Sequence, residues 1–384
     1  MRRYLDAQLA IDLQKKLVFV TGPRQVGKTT LSRSLMHGTD AQYLNYDVAA
    51  DRAMIERQSW RAQSKLLVFD EIHKMADWKN WLKGVVDGRP AGQQLLVTGS
   101  ARMDTFRQSG ESLAGRFHSL RLHPLSVREW CEQAPPDMQG GRAPTADDAL
   151  TRLLARGGFP EPMLEADTVD ADRWRRQYID GLVREDVLEF SRIHELKTMR
   201  LFVDLLRQRT GSPLSLASIA RDLAVSQPTL VHYLEILKAL FIVFSVQPWR
   251  RNIARSVLQQ PKIYFFDSGL VQGDDGARFE NLVACHLLKH AQWQQDAFGR
   301  DCALHYLRTK DGAEVDFALS DGDRLADLVE CKWADASPHR ALLRFAGELP
   351  EARAVQLVRA LRQPEQRGPV EIALAADWLK QLSA

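Results

Sequence analysis

The chain has 384 residues, 45% of them hydrophobic, and a formal net charge of +3. That length and apolar content argue for two or three domains with true cores and against a disordered chain. The small net charge argues against indiscriminate nucleic-acid binding, so any such binding falls to a local basic patch.

The N-terminus, Met1-Arg2-Arg3-Tyr4, lacks the apolar core of a signal peptide, and no uncharged apolar run approaches the roughly 20 residues of a membrane span. The four cysteines, Cys131, Cys285, Cys302 and Cys331, include no C-x-x-C pair and suggest no disulfide framework. The reading is a cytoplasmic protein with no membrane partner. Over residues 1–133, apolar runs alternate with helical patterns. Leu17-Val18-Phe19-Val20, Leu66-Leu67-Val68-Phe69 and Leu95-Leu96-Val97-Thr98 have the length and composition of strands in a parallel sheet covered on both faces. The helical segments between them supply the crossovers of an α/β domain.

The first apolar run leads into Gly22-Pro23-Arg24-Gln25-Val26-Gly27-Lys28-Thr29, a full G-x-x-x-x-G-K-[ST] match, and Thr30 opens a helical segment. Glycines let backbone amides curl around phosphate oxygens, Lys28 reaches the β- and γ-phosphates, and Thr29 ligates Mg²⁺. The helix directs its positive N-terminal end at the same anion. The second run ends in Asp70-Glu71, with Asp70 placed to hold the magnesium ion and Glu71 to polarise the attacking water. At the end of the third run, Ser100 is a candidate contact to the γ-phosphate or the water. Arg116 has two open readings, an arginine finger reaching a neighbouring subunit of a homo-oligomer or an ordinary surface arginine.

Residues 134–146 carry Pro135, Pro136, Gly140, Gly141 and Pro144 and read as a linker. Residues 147–211 read as a helical lid region, interrupted at Gly157-Gly158-Phe159-Pro160. Residues 212–267 read as a winged helix-turn-helix, with Ser226 capping the second helix and Pro228 in its first turn. Leu230, Leu234 and Leu237 share the inner face of that helix, leaving Gln227, Thr229 and His232 to face a DNA groove. The wing is expected from residues 239–246 and the basic segment holding Trp249, Arg250, Arg251 and Arg255, residues suited to phosphate contact. Residues 268–384 return to mixed α/β.

These motifs in this order resemble the prokaryotic AAA-type P-loop ATPases that end in a domain of unknown function with a restriction-endonuclease-like, PD-(D/E)XK core. The resemblance is carried by the phosphate loop, Phe69-Asp70-Glu71-Ile72-His73-Lys74, Thr98-Gly99-Ser100, Leu113-Ala114-Gly115-Arg116 and Leu122-His123-Pro124-Leu125-Ser126. It continues through Gly157-Gly158-Phe159-Pro160-Glu161, Lys262-Ile263-Tyr264-Phe265-Phe266-Asp267-Ser268-Gly269 and Gly312-Ala313-Glu314-Val315-Asp316-Phe317. It implies an AAA-type ATPase module, a winged helix and a nuclease-like C-terminal domain over nearly the whole chain.

Within that last domain, Glu280 opens an amphipathic helix, Asp316 lies in a strand-like run, and Glu330 and Lys332 share one strand face by alternation. The set Glu280, Asp316, Glu330 and Lys332 is similar to the restriction-endonuclease-like pattern. Asp316 and Glu330, helped by Glu280, are expected to hold Mg²⁺ or Mn²⁺, and Lys332 to orient the water. Two functions stay open. One is an ATP-hydrolysing protein coupled to DNA binding and metal-dependent phosphodiester cleavage. The other is an ATP-regulated DNA- or protein-binding module whose nuclease-like domain does not cut.

Overall fold

The computed structural model describes residues 2–99, 113–134, 143–165, 167–188, 195–249 and 260–384, with backbone alone at 183–188 and 195. Ser100, Arg250, Arg251 and Arg255 therefore lie outside the described residues. The chain forms two compact units, residues 1–123 with 239–241, and residues 124–238 with 242–384.

In the first unit, strands β1 (Leu17–Thr21), β2 (Ala41–Asn45), β3 (Leu66–Asp70), β4 (Gln94–Thr98) and β5 (Phe117–Arg121) form one parallel sheet in the order β2-β3-β4-β1-β5. Every residue of β1 and of β3 is buried, as continuous apolar runs require when helices cover both faces. Phe69 meets Trp60 and Trp81 edge-on, with ring centroids 5.4 and 5.3 Å away, which locks the helix Trp78–Gly88 against the sheet. Because β4 lies between β1 and β3, the C-terminal ends of all three strands open on one place. The phosphate loop after β1, Thr98 on β4 and Asp70 on β3 are thus neighbours although far apart in sequence.

The second unit begins with helices, among them Ala146–Arg156, Thr168–Leu188, Glu195–Gln208, Leu216–Asp222 and Gln227–Ala239. The interruption at Gly157 has a physical cause. Its φ is +72°, and a Cβ there would stand 1.9 Å from Asp267 Oδ1. Asp267 is buried and takes a 2.9 Å bond from Arg175 Nε, so the glycine makes room for a buried ion pair.

Among the described residues, eight strands follow in this unit: β6 (Val243–Pro248), β7 (Lys262–Phe265), β8 (Cys302–Arg308), β9 (Glu314–Asp321), β10 (Arg324–Lys332), β11 (Arg353–Val358), β12 (Glu365–Arg367) and β13 (Val370–Leu374). Their order is β12-β13-β11-β10-β9-β8-β6-β7. The expected boundary at residue 267 does not interrupt this sheet. Strand β6, read from sequence as part of a separate wing, pairs antiparallel with β7 on one side and parallel with β8 on the other, through Gln247–His305 and Pro248–Tyr306. Largely buried, β6 has to satisfy its backbone groups; β7 pairs with Val243 to Val246, and β8 takes over at Gln247 and Pro248.

Strand β7 ends the sheet, and a side chain stands in for the next strand. The Asn281 Oδ1 accepts from Phe265 N at 2.8 Å, and Asn281 Nδ2 donates to Phe265 O at 2.9 Å. This clamp ties the helix Asp275–Phe298 to β7 and so sets Glu280 beside Lys262 and Tyr264. All four cysteines are free. No described helix is long and apolar enough to cross a membrane. An Asn281→Leu substitution orphans two buried backbone groups, each worth about 1–3 kcal/mol. Denaturant unfolding should show a loss of that order, and an unchanged midpoint would contradict the clamp.

Candidate nucleotide site and carboxylate cluster

The turn out of β1 is shaped by two glycines. Gly22 has φ +149°, and a Cβ there would lie 2.3 Å from Leu122 O; Gly27, with φ +102°, precedes the helix Lys28–Met36. No other residue type brings the loop this close to the neighbouring backbone. Arg3 braces the loop from outside, donating from Nη1 to Val26 O at 2.8 Å and from Nη2 to His123 O. Arg3 carries no motif signal, because its partners are backbone carbonyls 23 and 120 residues away.

Lys28 is buried, and its ammonium donates to Gly22 O at 2.9 Å and Pro23 O at 2.6 Å. Burial pushes its pKa down to about 8, against the pull of Glu71 and Asp70 in the other direction. Thr29 Oγ1 donates to Asp70 Oδ2 at 3.3 Å. Of the remaining loop residues, Pro23 and Val26 are buried, Arg24 is half-buried, and Gln25 and Thr30 are exposed. Gln25, at φ +59°, helps turn the backbone.

Asp70 is the hub of the site. Besides Thr29, it accepts a 2.6 Å bond from Thr98 Oγ1 and one from the Tyr43 hydroxyl. Burial and the Asp70 carboxylate raise the Tyr43 pKa, keeping the phenol a donor. Tyr43 sits on β2, Thr98 on β4, and sequence alone does not show that either faces Asp70. The parallel registers Asn45–Asp70 and Asp70–Thr98 bring them together.

Glu71 follows in the left-handed region, with φ +57°, a costly conformation for a side chain of this kind. Its amide donates to Thr98 O at 3.0 Å, holding the turn in place. Burial first, and the Asp70 charge second, raise its pKa, the direction a general base working near neutrality needs. His73 Nε2 and Lys74 Nζ stand 3.5 and 3.8 Å from Glu71 Oε2. Arg116 is half-buried and pairs bidentately with Asp87, Nε to Oδ1 at 2.9 Å and Nη2 to Oδ2 at 3.3 Å, so a trans-acting role requires that pair to open.

In the second unit, Gln227 and His232 are exposed on the helix Gln227–Ala239, while Thr229 is half-buried. Ser226 caps this helix, accepting from Thr229 N at 3.3 Å, and its hydroxyl bonds Thr229 Oγ1 at 2.7 Å. Thr229 is therefore committed to the cap.

The C-terminal carboxylates do converge, around a lysine that motif reading did not assign. Lys262 on β7 is 1% exposed, and its Nζ lies 2.7 Å from Glu314 Oε1, 3.5 Å from Glu280 Oε1 and 3.7 Å from Asp316 Oδ1. Glu280 also accepts a 2.6 Å bond from Tyr264 OH. Asp316 accepts from Cys331 N at 2.9 Å, and Glu330 takes Lys332 at 2.8 Å and His339 at 3.1 Å. Burial and the neighbouring Glu280 and Glu330 charges push the Asp316 pKa well up. Burial works upward on Glu330 too, but bonds from His339 and Lys332 outweigh it and the net direction is down. Among the described residues, no group of three or more His, Cys, Asp or Glu side chains is placed to hold a metal ion. Of the two residues expected to hold a metal, Asp316 lies beside Lys262, and Glu330 lies beside Lys332 and His339.

Comparison with known proteins agrees with the first unit. An AAA domain family matches residues 14–131, and domains of unknown function, DUF8612 and DUF4143, match residues 147–274 and 275–374. The chain is 30% identical over 326 residues to the uncharacterized protein Rv2008c of Mycobacterium tuberculosis, covering 82% of this chain and 70% of that one. It is 23% identical over 333 residues to the uncharacterized protein MJ1544 of Methanocaldococcus jannaschii, covering 80% and 73%. Among solved structures, it is similar to the Walker-type ATPase PABY2304 of Pyrococcus abyssi, with 14% identity, a TM-score of 0.47, and 74% and 95% of the two chains covered. The Thermotoga maritima RuvB Holliday junction branch migration motor gives 17% identity, a TM-score of 0.34, and 62% and 88% coverage.

The position of Lys28 makes a pH prediction. Its lowered pKa of about 8 means that the charge needed by phosphate is present below that pH and lost above it. Nucleotide binding at pH about 8.5 should therefore take up a proton, seen as a binding enthalpy that varies with the ionisation enthalpy of the buffer, and binding near pH 6.5 should not. Equal buffer dependence at both values would contradict the assignment. Separately, Thr98→Val removes one donor from buried Asp70 and should lower stability by about 1–3 kcal/mol in denaturant unfolding.

Proposed function

This chain carries an AAA domain and belongs to one family with the uncharacterized mycobacterial protein Rv2008c, and on that premise we propose that it hydrolyses ATP to drive the engagement and release of DNA. The observation that carries the ATPase reading is the meeting of Lys28, Thr29, Asp70 and Glu71 at the C-terminal ends of β1 and β3, on either side of β4. Lys28 neutralises the phosphates, and the amides of the loop and of the helix that follows it bind their oxygens. The Thr29 hydroxyl and the Asp70 carboxylate, 3.3 Å apart, are hard oxygen donors that fit Mg²⁺. When bound, that ion neutralises charge developing on the transferred phosphoryl group. Glu71 orients the attacking water and accepts its proton. Ser100 is assigned the contact to the γ-phosphate or the water. Arg116, released from Asp87, is assigned the finger of a homo-oligomer.

DNA engagement is supported by the capped helix Gln227–Ala239, which exposes Gln227 and His232, following the short helix Leu216–Asp222. That pair and the antiparallel β6 and β7 have the order of elements of a winged helix. Arg250, Arg251 and Arg255, read from sequence, are assigned to phosphate contact.

For the C-terminal domain, with its nuclease-like carboxylates, the placement of Lys262 favours the second reading. The domain acts as a recognition module that does not cut. Cations of the protein already pair with Glu280, Glu314, Asp316 and Glu330.

Lys28→Ala should abolish ATPase activity. Glu71→Gln should retain nucleotide binding and turn over about 10²–10⁴-fold more slowly, and normal turnover would remove Glu71 from its role. Duplex affinity measured at several salt concentrations should fall when Arg250, Arg251 and Arg255 are changed to alanine. The salt slope should drop by about 0.9 for each phosphate that is no longer neutralised. An unchanged slope would remove these arginines from the DNA interface. Incubation with plasmid, linear and branched DNA and Mg²⁺ should leave all three uncut, and nicking lost in Asp316→Asn would restore the cleavage reading.

A further inference from the structure

Nothing in motif reading assigns Lys262 a role, yet its side chain is the most enclosed cation of the carboxylate cluster. The ammonium touches three carboxylates from two elements. Glu314 and Asp316 come from β9 and Glu280 from the helix Asp275–Phe298. Its other face lies over the Tyr306 ring, 5.4 Å from the centroid, a second favourable environment for a positive charge.

The site cannot easily release this group. Lys262 is the first residue of β7, which is paired to β6 and clamped at Phe265 by Asn281. Only 1% of the residue reaches solvent, and Tyr264, two residues on, binds Glu280 as well. The carboxylates are also fixed from elsewhere. Glu314 meets Arg308 at 3.4 Å, Asp316 is held by the Cys331 amide, and Glu330 by Lys332 and His339.

We propose that Lys262 is a built-in cation occupying the place a divalent metal would take between Glu280, Glu314 and Asp316. The cluster is thereby held together without a metal, and a divalent ion is kept out by repulsion from a buried ammonium. Divalent ions demand several oxygen ligands drawn in to about 2.0–2.6 Å. Those oxygens instead face an ammonium at 2.7–3.7 Å, and a second positive charge among them meets strong repulsion at low dielectric. Removing only the ammonium leaves three carboxylates converging on an uncompensated space, so Lys262→Gln should turn the cluster into a metal site.

This inference rests on the reading of the C-terminal domain as a non-cutting module, and its test is separate from cleavage. Mn²⁺ binding to the full-length, nucleotide-free protein is titrated by electron paramagnetic resonance in wild type, Asp316→Asn, Lys262→Gln and the double variant. Comparison with Asp316→Asn removes any contribution from Thr29 and Asp70. Wild type and Asp316→Asn should bind equal amounts of Mn²⁺. Lys262→Gln should gain one Mn²⁺ site that wild type lacks, and the double variant should lose it. An Asp316-dependent Mn²⁺ site in wild type overturns the proposal, as does a folded Lys262→Gln with wild-type ATPase rate and no added site. Should Lys262→Gln fail to fold, Lys262→Met repeats that arm, and the wild-type comparison stands by itself. DNA cleavage by wild type would sink the non-cutting reading, whereas Mn²⁺ in the wild-type cluster without cleavage would sink only the role of Lys262.

Discussion

A charge taken out of water has to find its partners within the protein, and each unit is organised around one such charge. In the first it is Asp70, which gathers Thr29, Tyr43 and Thr98 from the helix after the phosphate loop, β2 and β4. Leaving that carboxylate unpaired would be expensive, so its bonds fix three chain segments relative to one another. The nucleotide site follows from this constraint. The donors that satisfy Asp70 also bring Thr29 to the edge of the phosphate loop and set the turn on which Glu71 projects.

The second unit has its counterpart in Lys262. A lysine that is 1% exposed persists only because acidic groups surround it, and two of them, Glu280 and Asp316, belong to the nuclease-like pattern. In both units the decisive partners come from other elements, remote in sequence.

Much of this was legible beforehand. The three apolar runs became β1, β3 and β4 with limits shifted by a single residue, because continuous apolar composition has few other outcomes in a parallel sheet. The phosphate loop was readable because its function depends on backbone geometry, which glycine spacing encodes directly. Ser226 as a helix cap was readable for a similar reason, since a cap is a contact between near neighbours. Arg3, Tyr43, Thr98 and Lys262 were not assigned, and each acts through a partner on another element. Thr229, read from sequence as facing a groove, also binds the cap through its hydroxyl, a contact the reading did not include.

The limits of the wing show the same division. Composition marked the stretch around β6 as apolar, but not which strands would flank it, because a strand has two edges and its own sequence does not name its neighbours. Likewise, alternation placed Glu330 and Lys332 on one face of β10, and they do pair. What sequence by itself determined here is whatever depends on local spacing: the phosphate loop, the acidic strand end, the capped helix and the order of motifs. What tertiary structure decided is how buried charges are compensated. Asp70 is completed by Tyr43 and Thr98, and the C-terminal carboxylates close on Lys262, since compensation depends on distance in space and the sheet, not the chain, sets those distances.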